Sequence, residues 1–152
     1  MKLVGLLASI LVIVAGGCSP LVLKPADFSW PVESKLIVGP HGIVKEHRYS
    51  ISFNVKPLLY AETKDTTSVA GRTLWIIRDK MGYYYITGPG FKDVFIFKQG
   101  GGGLVLKKQI EVSKVGLDSP SFNQRDPYIE LISSNEKTIM LTANGIRKET
   151  SK

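Results

Sequence analysis

The chain has 152 residues, a formal net charge of +7, 43% hydrophobic residues and one cysteine. That is one domain's worth of chain, and a lone cysteine excludes an internal disulfide, so stability has to come from packing. The basic residues are scattered, with Lys107 and Lys108 the only adjacent pair before the tail, which excludes the long basic run that marks a nucleic-acid patch.

The amino terminus carries the clearest signal. Lys2 precedes an apolar run over residues 3–15, and Gly16 and Gly17 stand directly before Cys18. One positive charge, an apolar stretch and small residues follow the order of a secretory signal. The run is shorter than the roughly 20 residues that a spanning helix needs. Gly16-Gly17-Cys18 resembles the lipobox of bacterial lipoproteins, with Ala15 in the place that leucine most often holds. The resemblance covers residues 1–22. It implies cleavage before Cys18, a diacylglycerol on the Cys18 thiol, and a fatty acyl group such as palmitate on the new amino terminus. It also implies residence in the cell envelope, with membrane lipid as a partner through acylated Cys18. Ser19 in place of aspartate points to an outer membrane, facing the periplasm, if the cell has two membranes.

Residues 18–33 then form a tether. Pro20, Pro25 and Pro31 deny it a helix, and its reach is about 50 Å at roughly 3.3 Å per residue. Phe28 and Trp30 are expected to dock on the domain that follows, with the lipid interface as the alternative place for them. Residues 36–38 and the stretch from Ile43 flank Gly39-Pro40-His41-Gly42 and read as a hairpin. Residues 49–56 alternate, with Tyr49, Ile51, Phe53 and Val55 on one face, the pattern of a half-buried strand. Residues 61–71 are polar and aperiodic and read as a loop.

Strands are expected at 74–77, 83–87 and 94–97, the first two joined by a turn at 79–82 and the next break falling at Gly88-Pro89-Gly90. Strands 74–77 and 94–97 are apolar on both faces. They are expected to be central and covered on both sides, or to present one face as a contact surface. Gly100 to Gly103 make a flexible hairpin loop rather than a phosphate loop, because a strand follows them instead of Gly-Lys-Ser/Thr and a helix. In the next strand Leu104, Leu106, Ile110 and Val112 share one face, and Lys108 interrupts it, which suggests a sheet end. Residues 116–127 read as a second long loop, followed by strands at 128–132 and 138–142 and a turn at Asn144-Gly145. The segments 74–92 and 129–147 echo each other as strand–turn–strand–Gly units, with Ile77 matching Ile132.

The expected fold is therefore all-β, an antiparallel sandwich or small barrel of about eight short strands behind a lipid-anchored linker. The divisions are a signal peptide at 1–17, lipidated Cys18 with its tether to 33, one β domain at 34–147 and a polar tail at 148–152. Catalytic and metal motifs are missing. His41 and His47 are expected to be exposed, no serine lies in Gly-x-Ser-x-Gly context, and no carboxylate pair stands out. No cofactor is expected. Trp75, Tyr83, Tyr84, Tyr85, Phe91, Phe95 and Phe97 crowd a short segment and form the candidate contact surface, because rigid amphipathic rings favour interfaces; core packing is the other use for them. The expected function is a membrane-anchored module that binds or holds an envelope protein or polymer. The alternatives are a carrier of an apolar ligand inside a small barrel and an envelope-polymer hydrolase.

Overall fold

The computed structural model describes residues 32–147. Residues 1–31 and 148–152, and with them the signal peptide, Cys18 and nearly all of the tether, lie outside the described residues. Eleven strands and one helix follow in chain order: β1 (Ser34–Ile37), β2 (Ile43–Glu46), β3 (Ile51–Asn54), α1 (Lys56–Thr63), β4 (Thr73–Arg78), β5 (Tyr83–Thr87), β6 (Asp93–Gly100), β7 (Gly103–Glu111), β8 (Ser121–Arg125), β9 (Tyr128–Ser133), β10 (Glu136–Thr142) and β11 (Gly145–Ile146). Every strand pairing is antiparallel. One sheet has the order β1-β4-β5-β6-β7, a second β11-β10-β9-β8, and β2 and β3 form a ribbon of their own. None closes into a barrel, so the sandwich is the form the chain takes.

The five-stranded sheet is the middle of three layers. Adjacent residues of a strand point to opposite faces, and here both faces are apolar. Leu74, Ile76, Tyr84, Ile86 and Phe95 pack on one side against Val44, Val55, Leu58 and Leu59 from the ribbon and α1. Ile77, Tyr85, Val94, Ile96 and Ile110 pack on the other against Phe122, Ile129, Leu131 and Leu141 of the four-stranded sheet. That is why 74–77 and 94–97 lack alternation: they are central strands covered on both sides.

Four local expectations need correction. The turn at 39–42 forms, with Gly42 N–H donating to the Gly39 carbonyl at 3.0 Å, but it does not make a hairpin. β1 pairs with β4 and β2 with β3, so the turn carries the chain from the middle layer to the ribbon. Strand 49–56 stops at Asn54, and the segment expected to end a strand and begin a loop is α1. Its start is fixed by Pro57 in the first turn and by Asn54 Oδ1 accepting the Lys56 N–H at 2.9 Å. It ends where Lys64 takes φ +59°, with its N–H bonded to the Tyr60 carbonyl. The loop expected at 116–127 contains β8, which carries one buried apolar residue, Phe122, and so has almost no pattern to read.

The fourth correction concerns β7. A bulge interrupts its pairing with β6: Phe97 faces Leu106, but Ile96 faces Lys108, and Lys107 is left over. The extra residue reverses the phase of the strand. Leu104 therefore joins the ribbon side of the core, while Ile110 and Val112 join the other. Lys108 does lie at the edge of the sheet, since β7 is the last strand in its order, and its ammonium donates to the Asn144 carbonyl beside the β10–β11 turn. The echo between 74–92 and 129–147 is two hairpins in different sheets, and Ile77 is buried where Ile132 is exposed.

Two further contacts position loops. Gly90 N–H donates to the Leu117 carbonyl and Leu117 N–H to the Phe91 carbonyl, both at 2.8 Å, pinning the segment after β7 to the turn before β6. Where the chain enters the fold, Arg48 donates to the Val32 carbonyl and the Phe122 N–H donates to the Glu33 carboxylate.

Candidate functional site

The seven aromatics do not form one surface. Tyr84, Tyr85, Phe91 and Phe95 are buried. Tyr84 stacks edge-on against Tyr49, with ring centroids 5.6 Å apart, and Phe91 against Phe95 at 6.2 Å. The candidate contact surface is corrected accordingly: these four belong to the core, because both faces of their sheet are covered. The two faces of β5 do separate as its alternation requires, Tyr84 toward the ribbon side and Tyr83 and Tyr85 toward the four-stranded sheet. Trp75 and Tyr83 are half-buried, each beneath a lysine, with Lys35 Nζ 5.4 Å and Lys98 Nζ 4.6 Å from the ring centres. Burial and the Asp79 carboxylate, which accepts the phenol hydrogen bond at 3.0 Å, push the Tyr85 hydroxyl far above its ordinary pKa.

Phe97 leads to the better site. The ribbon and α1 cover only part of their face of the middle sheet. Beyond them an apolar cleft of about 260 Å³ stays open. Phe53, Asn54 and Val55 form one side, Pro57, Leu58 and Ala61 of α1 its end, Ile86, Phe95 and Phe97 its floor, and Leu104 and Leu106 its far wall. A second recess of about 240 Å³ continues from it and shares Phe53 and Leu104. This part is mixed: Ser50, Ser52, Gln99 and the backbone at Gly102 and Gly103 line it beside Ile51, Phe53 and Leu104. Neither part is lined by a histidine, carboxylate, cysteine or lysine. The cleft therefore offers apolar burial, hydroxyls and amides. It offers no base to activate Ser50 or Ser52. Among the described residues no three metal-ligating side chains converge.

Of the residues singled out in sequence, Phe95 and Phe97 reach the cleft. Leu58, Ala61, Leu104 and Leu106 were missed for two local reasons: the helix was read as strand and loop, and the bulge at Lys107 hid which face the leucines take. Pro57 followed by Leu58, Leu59 and Ala61 was the available helix signal.

Behind α1, Glu62 accepts the Lys92 N–H with Oε1, while its Oε2 is buried without a partner. Burial holds this carboxyl above the usual carboxylate range, the Lys92 N–H opposes that, and Asp93 beside it adds to the rise. A raised folded pKa means the carboxyl's contribution is fully present below the ordinary value of 4.5 and is lost as pH rises through the folded one. Glu62→Gln is accordingly expected to melt with the parent protein at acid pH and above it at neutral pH. The gain should be no more than about 1 kcal/mol, since the side chain is partly solvated. Thermal melts across this pH range check it; a parent protein that gains on the variant as pH rises would contradict the assignment.

A scan of family models and searches of curated proteins and of solved structures find no match to this chain. What it does has to be argued from its own geometry.

Proposed function

We propose that the protein is a membrane-anchored envelope lipoprotein that acts as a binding module, and that its binding site is the cleft between α1, β3 and the β6–β7 hairpin. The open apolar cleft on an otherwise covered sheet face carries the reading. Clefts that bind are mostly apolar with a few placed polar groups, and this one joins ten apolar residues to a recess that supplies hydroxyl and amide groups. The signal layout ending at Cys18 supports the anchor and the envelope address. The bound partner is an envelope component that presents an apolar group. Carriage inside a barrel is set aside, because no sheet closes.

A photoreactive amino acid at Ala61, in the cleft, is the test, with the same group at Val115, 80% exposed and outside the cleft, as control. Irradiation of the native membranes should give a discrete adduct from position 61 and none from 115. Equal yields, or none from 61, would remove the cleft as the site. The anchor is tested separately by Cys18→Ser, which should abolish acyl attachment and leave a precursor of higher peptide mass. An unmodified amino terminus at another residue of the parent protein would end the lipoprotein reading.

A further inference from the structure

We propose that the tip of the β6–β7 hairpin is a membrane contact in its own right and docks on an anionic phospholipid surface. The inference does not depend on acylation of Cys18. It shares Leu106 with the far wall of the cleft, whereas Val105 lies outside the cleft.

Val105 and Leu106 are 45% and 48% exposed. They are consecutive residues, Val105 opposite Lys98 and Leu106 opposite Phe97, so the hairpin shows apolar groups on both faces. A partner that covers one face leaves the other wet, whereas a medium that surrounds the tip satisfies both. The turn itself has no side chains. Gly101 and Gly102 take φ +58° and +80°, as a two-residue hairpin turn with both central residues left-handed requires. Gly103 needs no such φ, and a Cβ there would meet nothing within 4 Å. Neither backbone nor crowding explains that glycine; a low-profile tip against a surface does.

Charge identifies the surface. Lys98, Lys107 and Lys108 stand behind the tip, and residues 94–110 contain no aspartate or glutamate. None of the three lysines has an ion-pair partner among the described residues. Lys98 rests over Tyr83 and Lys108 reaches Asn144. The carboxylates at this end of the sheets are engaged: Glu46 by the Arg48 N–H, Asp79 by the Tyr83 N–H and the Tyr85 hydroxyl, Asp126 by Lys80 at 2.8 Å. Apolar side chains level with Lys98 and ahead of Lys107 and Lys108 match hydrocarbon at a negative headgroup layer. Each lysine near such a layer favours contact about five-fold.

The test uses the chain from Ser19 onward, without the apolar signal and without any thiol, so that Val105→Cys can carry the only NBD fluorophore. Val105 does not line the cleft. On phosphatidylcholine vesicles containing about one third phosphatidylglycerol, the NBD emission should rise and move to the blue, and it should return in about 0.5 M salt. Pure phosphatidylcholine should leave it nearly unchanged, and so should moving the label to Val115→Cys, at the opposite end of the sheet. Adding Lys98→Gln and Lys107→Gln should shift the contact equilibrium about 25-fold toward the free state. A label at 105 that ignores anionic vesicles, responds equally to neutral lipid, or behaves like the label at 115 would overturn the proposal.

Discussion

Tyr84→Ala is expected to lower the free energy of unfolding by about 3–5 kcal/mol, with truncations of buried phenylalanine and tryptophan as the guide. Tyr84 is 1% exposed on the ribbon side of the middle sheet. Its ring meets Tyr49 edge-on, and the Arg78 guanidinium lies 5.5 Å from its centre. Removing it leaves a void that β-pairing on both flanks prevents from collapsing, since β5 is held between β4 and β6. Tyr83→Ala, at a half-buried ring under Lys98, should cost only about 1 kcal/mol. Urea unfolding of the two variants measures the difference directly. Equal losses would mean that the two faces of β5 are not as unequally buried as described.

Gly116→Ala is the second large effect, at about 3 kcal/mol. Gly116 has φ +101°, where a side chain is strained, and a Cβ would stand 2.7 Å from the Gly90 carbonyl oxygen. That atom is backbone, in a turn already tied by the Gly90–Leu117 and Leu117–Phe91 hydrogen bonds. It cannot rotate away as a long side chain would. Gly71→Ala makes the control. Its φ is +77° but a Cβ there meets nothing within 4 Å, so it should show the backbone strain without the collision. Matching losses at the two sites would show that the segment after β7 yields.

The strands with strong patterns were legible from the residues. β4 and β5 were placed within a residue, and β6 at its start though it runs three residues past Phe97, because long apolar runs between turns have few other solutions. The double-sided character of 74–77 and 94–97 left a covered central sheet or an apolar contact face, and burial on both sides is the outcome. What escaped was decided by other parts of the chain. β8 is a strand because β9 offers it a ladder from Ser121 to Arg125, and its own composition says little. The strand partners across 39–42 depend on β4, which lies far along the chain. At the site, Phe95 and Phe97 stood out by type, but whether an aromatic faces solvent, core or cleft depends on the layer above it. The phase reversal at Lys107 could not be read from residues 104–112 alone, since an unbroken alternation fits them equally well.

The place where the chain joins the fold behaves as a welded joint rather than a swivel. Val32 is tied to Arg48 on the ribbon side, Glu33 to Phe122 in the four-stranded sheet, and β1 to β4 between them. All three layers hold the same few residues. A load arriving through the amino terminus would be shared among them instead of peeling β1 alone, and the domain would keep a fixed bearing relative to residue 32. The cleft and the hairpin tip would therefore turn together with residue 32 as one piece.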